Sequence, residues 1–221
     1  MPNDPLSLSS ADPMAAVPVA IRKRPKPGER RVQILQALAA MLEQPGVERV
    51  TTAALAARLS VSEAALYRHF ASKAQMFEGL IEFIEQSVFS LVNQIAEREP
   101  TSSSVDPGAG ARHPGKVIAM LLQFAEKNPG MTRVMVGDAL VFENERLQQR
   151  MNQFFDKIEA TLKQGLRTSS DVVGSLTPSL DAQVSASALT AFAVGRLHRF
   201  ARSGFKRLPS EHLEASLARM V

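Results

Sequence analysis

The side chains best suited to contact nucleic acid lie between residues 51 and 73. Hydroxyl residues stand at three predicted helix starts in this stretch, namely Thr51 with Thr52, Ser62 and Ser72. A helix N-terminus presents free backbone N–H groups and the positive end of the helix dipole, and both attract phosphate. The same hydroxyls are also ordinary helix N-caps, so each alone is weak evidence for a nucleic-acid contact. Together with the neighbouring Tyr67-Arg68-His69 they predict a surface that contacts phosphates and bases.

The distribution of charge points to the same class of partner. The whole sequence carries 26 Lys and Arg against 22 Asp and Glu, a net charge of +4. Residues 22–73 hold ten basic and four acidic side chains, whereas residues 74–221 hold sixteen of each. Such a local excess favours a polyanionic partner. The residues expected to contact double-stranded DNA are Arg22, Arg24, Thr51, Thr52, Ser62, Glu63, Ala64, Tyr67, Arg68, His69 and Lys73.

Residues suited to catalysis are not grouped in any recognisable pattern. The chain has no Cys, and its four histidines, at 69, 113, 198 and 212, lack the paired spacing of metal ligands. There is no Gly-rich phosphate loop and no Gly-x-Ser-x-Gly motif. Glu143 and Glu145 are two residues apart at a predicted helix start, so their carboxylates do not face each other. We therefore expect no enzyme, no metal and no cofactor.

A helix-turn-helix would position the predicted contact residues. Apolar residues at 55, 56 and 59 face inward from a first helix, and those at 66 and 70 face inward from a second. Val61 fills the turn between them, and small alanines allow the two helices to cross closely. Turning these side chains inward leaves Ser62, Glu63, Tyr67 and Arg68 on the outer face, where a recognition helix would meet a major groove.

The remaining sequence predicts an all-α protein of about nine helices. Six prolines in residues 1–27 indicate a disordered leader that ends in basic residues, and residues 28–73 and 74–221 are expected to form a DNA-binding and a larger helical domain. We predict loops at 98–114 and 167–178, and helices at 115–128, 129–142, 144–166, 179–203 and 209–221. The longest apolar stretches span six residues, against the roughly 18 of a membrane span. These features favour a cytoplasmic protein.

The DNA-binding stretch resembles the TetR family of dimeric DNA-binding proteins. The resemblance rests on a threonine-initiated helix, then Val61-Ser62-x-x-x-Leu66-Tyr67-x-His69-Phe70, then Ser72-Lys73 opening a long helix. It implies an Ω-shaped homodimer whose C-terminal helices pair as a four-helix bundle.

Four further segments are similar to one branch of that family, the nucleoid occlusion factors. They are residues 80–85, 126–134, 139–155 and 199–206. This resemblance implies binding to palindromic chromosomal sites, a nucleoid-associated location, and binding of the C-terminal tail of the division protein FtsZ. The tail-binding residues that it implies are Phe83, Met120, Gln123, Lys127 and Asn128, although Leu91 and Gln123 differ from the relatives. We also expect Glu78, Glu82 and Glu85 to lie near Phe83, on a helix that faces Lys127.

Two alternatives concern the C-terminal domain. Ala182, Ala186, Leu189, Ala193, Leu197 and Phe200 form one face of a predicted helix, and we expect this face to pair with its copy in a homodimer. The alternative is that the face packs only into the core of its own chain. As a function, the alternative is a ligand-responsive TetR-type repressor with Met120, Phe124, Met131 and Met135 around an effector, although such residues at helical spacing are usually core.

Overall fold

The structure, a computed structural model, describes residues 28–44, 49–98, 109–173 and 175–220. Within these ranges the chain forms nine α-helices, one short 3-10 turn and no strand, which confirms the predicted all-α class. The predicted leader, with Arg22 and Arg24, lies outside the described residues. The helices are α1 (Glu29–Leu42), α2 (Thr52–Arg58), α3 (Glu63–Tyr67), α4 (Lys73–Arg98), α5 (Ala109–Lys127), α6 (Pro129–Met135), α7 (Glu145–Val173), α8 (Pro178–Arg202) and α9 (Leu213–Leu217), with the 3-10 turn at Asp138–Leu140.

Side-chain caps define the short helices of the N-terminal part. The hydroxyl of Thr51 accepts a hydrogen bond from the Ala54 N–H at 3.2 Å, and that of Ser62 accepts one from the Ala65 N–H at 3.3 Å. Each bond satisfies one of the backbone donors that a helix start leaves without a partner. Beneath these helices lie the buried side chains of α1 and of the two motif helices: Ile34, Leu38, Leu42, Leu55, Ala56, Leu66 and Phe70.

The C-terminal part is built around α4, α5, α7 and α8. The buried residues of α7 recur every three or four positions, and α7 and α8 form the most extensive helix pair of the described chain. Because only a short connection separates them, α7 and α8 form an antiparallel hairpin. None of the described helices contains an 18-residue stretch apolar enough to cross a bilayer. The apolar α7 residues are Leu147, Met151, Phe154, Ile158, Leu162 and Leu166.

Several predicted helix ends differ from the observed ones. α5 begins at Ala109, within the predicted 98–114 loop, and Pro114 is buried inside the helix near Gly165 of α7. α7 continues to Val173 through a stretch predicted as loop. α6 ends early because Gly137 adopts a positive φ of 83°, and the 3-10 turn follows it. Composition marks Gly and Pro as helix breakers, but packing against neighbouring helices overrides that local preference.

The prediction that this face of α8 forms the dimer interface needs correction. Its side chains are no more than 2% exposed within a single chain, because they pack against the core formed with α5 and α7. A face that is covered by its own chain cannot also receive a partner. The alternative of a core role therefore describes these residues better, and any dimer contact must use other side chains. The buried residues are Ala182, Ala186, Leu189, Ala193, Leu197 and Phe200.

Helix α6 joins the two parts by lying against the backbone of α1. A Cβ atom added at Gly130 would lie only 2.0 Å from the Ala39 carbonyl oxygen and 2.8 Å from the Ala39 carbonyl carbon. Arg133 reinforces this approach, since its Nη1 donates to the Leu42 carbonyl oxygen at 3.4 Å. The contact therefore depends on a residue without a side chain at position 130.

We expect Gly130→Ala to destabilise the protein by about 2 kcal/mol, because a backbone carbonyl cannot move aside as a flexible side chain can. Thermal unfolding should show a midpoint lower by about 4–8 °C. Gly115→Ala is the matched control, since its added Cβ meets nothing closer than Leu217 at 3.8 Å. An equal midpoint for Gly130→Ala and Gly115→Ala would contradict the close α1–α6 contact.

Candidate nucleic-acid interface and partner groove

The recognition surface is formed by the outer side of α3. Buried Leu66 and Phe70 anchor the segment from beneath, which leaves Ser62, Tyr67 and Arg68 exposed. At about 100° per residue, the four side chains at 63, 64, 67 and 68 fall within about 140° of the helix circumference. The structure thus brings together on one surface the predicted contact residues Ser62, Glu63, Ala64, Tyr67 and Arg68, all exposed. Their contact with DNA stays a prediction.

A hydrogen bond fixes the two motif helices relative to each other. The Thr52 hydroxyl donates to Glu63 Oε2 at 2.5 Å, which ties the start of α2 to the start of α3. Both residues were predicted as DNA contacts, but the structure gives them a positioning contact with each other. The Glu63 carboxylate on the outer surface therefore already accepts one hydrogen bond. Residue types and spacing gave no signal for this pair.

Arg31 supports the recognition segment from below. Its Nη1 donates to the His69 carbonyl oxygen at 2.5 Å, and its guanidinium carbon lies 4.2 Å from the centre of the Phe70 ring. The His69 side chain is half-buried rather than fully exposed. Arg31 belongs to the basic excess of residues 22–73, and its guanidinium lies against the residues that follow α3. A basic residue of α1 thus holds the motif in position.

Lys73 opens α4 directly behind the motif, and its ammonium group pairs with the Glu143 carboxylate. The two side chains are only 19% and 9% exposed, and the Lys73 Nζ also lies 5.6 Å from the centre of the Phe77 ring. Glu143 belongs to the turn before α7, seventy residues away in sequence. Lys73 could be predicted from the sequence as a contact residue but its partner could not, because no periodic pattern connects residues so far apart.

Two further ion pairs join α4 to α7. Arg150 Nη2 lies 2.8 Å from Glu85 Oε2, and Arg146 pairs with Glu78. Hydrogen bonding to Glu85 raises the pKa of Arg150 above its usual range, with the nearby carboxylates adding to the effect against the opposing effect of burial. Of the three acidic residues expected near Phe83, Glu78 and Glu85 pair with α7, whereas Glu82 is exposed. Positions 83 and 85 are about 160° apart around α4, so the carboxylate faces α7 and the ring faces elsewhere.

The predicted partner groove involves the surfaces of α4 and α5, which pack side by side. Phe83 is 44% exposed, although a ring of this size is usually buried. On α5, Met120 is half-buried whereas Gln123 and Lys127 are exposed, and their spacing places them on one face. Asn128 is half-buried, and its side-chain amide donates to the Phe124 carbonyl oxygen at 2.7 Å. Phe83 on α4 and Lys127 on α5 are both exposed, and their joint role in a partner groove stays a prediction.

The residues suggested for an effector pocket belong to the core. Met131 and Met135 are buried, and Met120 and Phe124 are partly buried against the same core. This packing favours the usual structural role of Met and Phe at helical spacing.

Comparisons with known proteins agree with this architecture. Residues 34–80 match the family model of bacterial regulatory proteins of the tetR family, and residues 113–220 match a SlmA-like, tetracyclin repressor-like C-terminal domain. The nucleoid occlusion factor SlmA of Idiomarina loihiensis is 49% identical over 186 residues, which cover 84% of this chain and 90% of the relative. SlmA of Aliivibrio fischeri (strain MJ11) is 50% identical over 189 residues, with 85% and 92% covered.

The chain belongs to the SlmA family of TetR-type proteins. Solved structures of more distant proteins share the fold. The FadR regulator of Bacillus subtilis, solved in complex with stearoyl-CoA, gives a TM-score of 0.66 at 15% identity, covering 86% of this chain and 97% of FadR. The NalD repressor of Pseudomonas aeruginosa gives 0.65 at 20% identity, covering 87% and 94%. At this identity the likeness concerns the fold alone.

We expect Tyr67→Ala to weaken binding to a duplex selected by the protein from a random pool by about 1–3 kcal/mol. Because Tyr67 is exposed, the thermal midpoint should stay close to that of the wild type. Tyr67→Phe is the matched control, since it keeps the ring and removes the hydroxyl. Fluorescence anisotropy with selected and random duplexes measures both affinities. Equal losses on the two duplexes would argue against a role of Tyr67 in sequence recognition.

Proposed function

We propose that this chain is a DNA-binding nucleoid occlusion factor that acts by binding rather than by catalysis. As a homodimer it binds palindromic chromosomal sites through α3, and on the nucleoid it binds the C-terminal tail of FtsZ and opposes assembly of the division ring. The observation that carries this proposal is the identity of about one half to SlmA proteins over 84% or more of the chain. That similarity extends through the C-terminal domain, beyond the DNA-binding motif.

The exposed residues of the partner groove support binding of an acidic peptide with an apolar anchor. Phe83 offers an uncovered ring, and burying such a ring against a peptide would gain hydrophobic free energy. Lys127 ends α5, where no residue of the described chain forms an ion pair with it. A lysine provides a single point of charge rather than the two-pronged contact of arginine, so it attracts a carboxylate without fixing its orientation.

We expect Lys127→Glu to weaken binding of an FtsZ tail peptide to the DNA-bound protein by about tenfold or more, because an attractive charge becomes a repulsive one. Binding to DNA itself should change by less than about twofold, since the groove and α3 are separate surfaces. Isothermal titration with the peptide measures the first affinity, and anisotropy with labelled DNA measures the second. Lys206→Glu, an equal reversal at an exposed lysine after α8, is the control.

Equal binding of the tail peptide by the wild type and Lys127→Glu would show that Lys127 is not part of the groove. The proposed function itself would still stand. No tail binding by the DNA-bound wild type would instead favour the second candidate, a ligand-responsive repressor of the kind common in this fold.

The outer face of α8 supports a homodimer that uses other residues than those first predicted. Leu180 and Val184 are 61% and 62% exposed, and Ala188, Ala191 and Gly195 continue the same stripe. These five positions lie within about 80° of the helix circumference, on the side opposite the buried face. A Cβ atom added at Gly195 would meet nothing within 4 Å, so a second helix has room to approach there. An apolar face of small residues is suited to close packing with its copy.

We expect Ala188→Arg to convert the dimer to a monomer at micromolar concentration, because a buried arginine without a partner is costly. Analytical ultracentrifugation measures the mass, and circular dichroism confirms that the helices persist. Affinity for a palindromic duplex should fall by about tenfold or more, since two linked half-sites no longer bind together. Ala96→Arg, at an exposed position of α4, is the control that should stay dimeric. A dimeric Ala188→Arg would show that α8 pairs through another face.

A further inference from the structure

The Lys73–Glu143 pair connects the DNA-binding motif to the C-terminal domain. Lys73 is the first residue of α4 and follows the recognition segment by only a few residues, whereas Glu143 lies in the turn before α7. The pair is largely shielded from water, so its mutual attraction is screened less than that of an exposed pair. The basic group best placed behind the recognition surface is therefore already neutralised by a carboxylate of the other domain.

The neighbouring ion pairs show why this one can open without loss of the fold. From the start of α4 onward, Lys73, Glu78 and Glu85 pair in the same order with Glu143, Arg146 and Arg150. Further along, Phe89 contacts Phe154 with ring centres 5.7 Å apart. These contacts hold α7 against α4 independently of the first pair. Separating Lys73 from Glu143 therefore frees the turn before α7 but leaves the helix packing in place.

We propose that Glu143 competes with a DNA phosphate for Lys73, so that DNA binding releases Glu143 and loosens the turn before α7. The proposal rests on the DNA-binding part of the proposed function and does not depend on FtsZ. Glu143 acts as a positioning residue: it holds the Lys73 ammonium group in the protein alone and lowers DNA affinity by the free energy needed to separate the pair. A lysine has one compact charge, and a phosphate oxygen can accept a charge-assisted hydrogen bond from it as a carboxylate oxygen does.

The conformation of the turn that contains Glu143 depends on the Lys73 contact. The Glu143 N–H donates to the Leu140 carbonyl oxygen at 3.0 Å, and the side chain is anchored by Lys73. Beside it, Val141 and Phe142 are 60% and 61% exposed, so packing of their side chains contributes little to holding the turn. Loss of the Lys73 contact removes the side-chain anchor of the turn. Binding of DNA thereby changes the conformation of an exposed apolar surface of the C-terminal domain.

We expect Glu143→Gln to bind random-sequence and selected duplexes about three- to tenfold more tightly than the wild type. The amide keeps the size of the carboxylate but loses the charge that competes with phosphate. The direction of the change is diagnostic, because a merely structural Glu143 would lower affinity when replaced. Glu145→Gln is the control: it changes the same net charge at an exposed position two residues away and should bind DNA within about twofold of the wild type.

A double-mutant cycle locates the effect at Lys73. Lys73→Gln should lower DNA affinity and reduce the slope of log affinity against log salt by about 0.9, the value for one phosphate contact. In that background Glu143→Gln should have no further effect, because the lysine for which it competes is gone. Unchanged or weaker DNA binding by Glu143→Gln, or an equal gain in the Lys73→Gln background, would overturn the proposal. Failure of the wild type to bind any duplex would instead overturn the proposed function.

Release of the turn has a spectroscopic test that does not depend on affinity. The chain contains no Trp, so Phe142→Trp introduces a single tryptophan at an exposed position beside Glu143, and excitation near the red edge of its absorption avoids Tyr67. Its emission should shift when saturating duplex is added, and the shift should disappear when Lys73→Gln is combined with it, although DNA still binds nearby. An equal shift with and without Lys73 would show that the turn does not respond through this pair and would overturn the release step.

Discussion

The structure depends on α4, whose three sides face three different surroundings. One stripe of Phe77, Ile81, Ile84 and Val88 is buried in the core that joins the two domains. A second side carries Glu78 and Glu85, which pair with α7, and a third leaves Phe83 exposed. A helix period of about 3.6 residues makes this partition possible, because neighbouring residues point to different faces. The orientation of α3, the packing of the C-terminal domain and the exposure of Phe83 are therefore all set by one helix.

Much of the fold could be predicted from the sequence because local signals agree with tertiary packing there. The hydroxyl caps at Thr51 and Ser62 and the apolar spacing of the motif correctly identify α2 and α3. Helix ends were less predictable where packing outweighs composition, as at Pro114, which is buried inside α5. The positions of the recognition side chains followed from periodicity, whereas the pairs that hold them did not. Thr52 with Glu63, Arg31 with His69 and Lys73 with Glu143 meet only after the chain has folded.

The two faces of α8 show a general limit of periodicity. Both faces carry a stripe of small and apolar residues, one through Ala186 and Ala193 and the other through Val184 and Ala191. Periodicity identifies that a stripe exists, but it does not say whether the same chain or a second copy covers it. The stripe with the larger apolar side chains is the one buried in the core, where it removes more apolar surface from water. The weaker stripe, through Val184 and Ala191, stays exposed.

The internal pairs also change what the basic excess of the motif means for DNA binding. Arg31 keeps its full positive charge although its guanidinium contacts the His69 carbonyl oxygen and the Phe70 ring, whereas the charge of Lys73 is balanced by the Glu143 carboxylate. The positive potential that the described motif presents to phosphate is therefore smaller than the count of basic residues indicates. Weak non-specific attraction shifts the free energy of DNA binding towards base contacts. For a DNA-binding nucleoid occlusion factor this restraint favours selectivity, because the competing chromosomal sites are contacted mainly through charge.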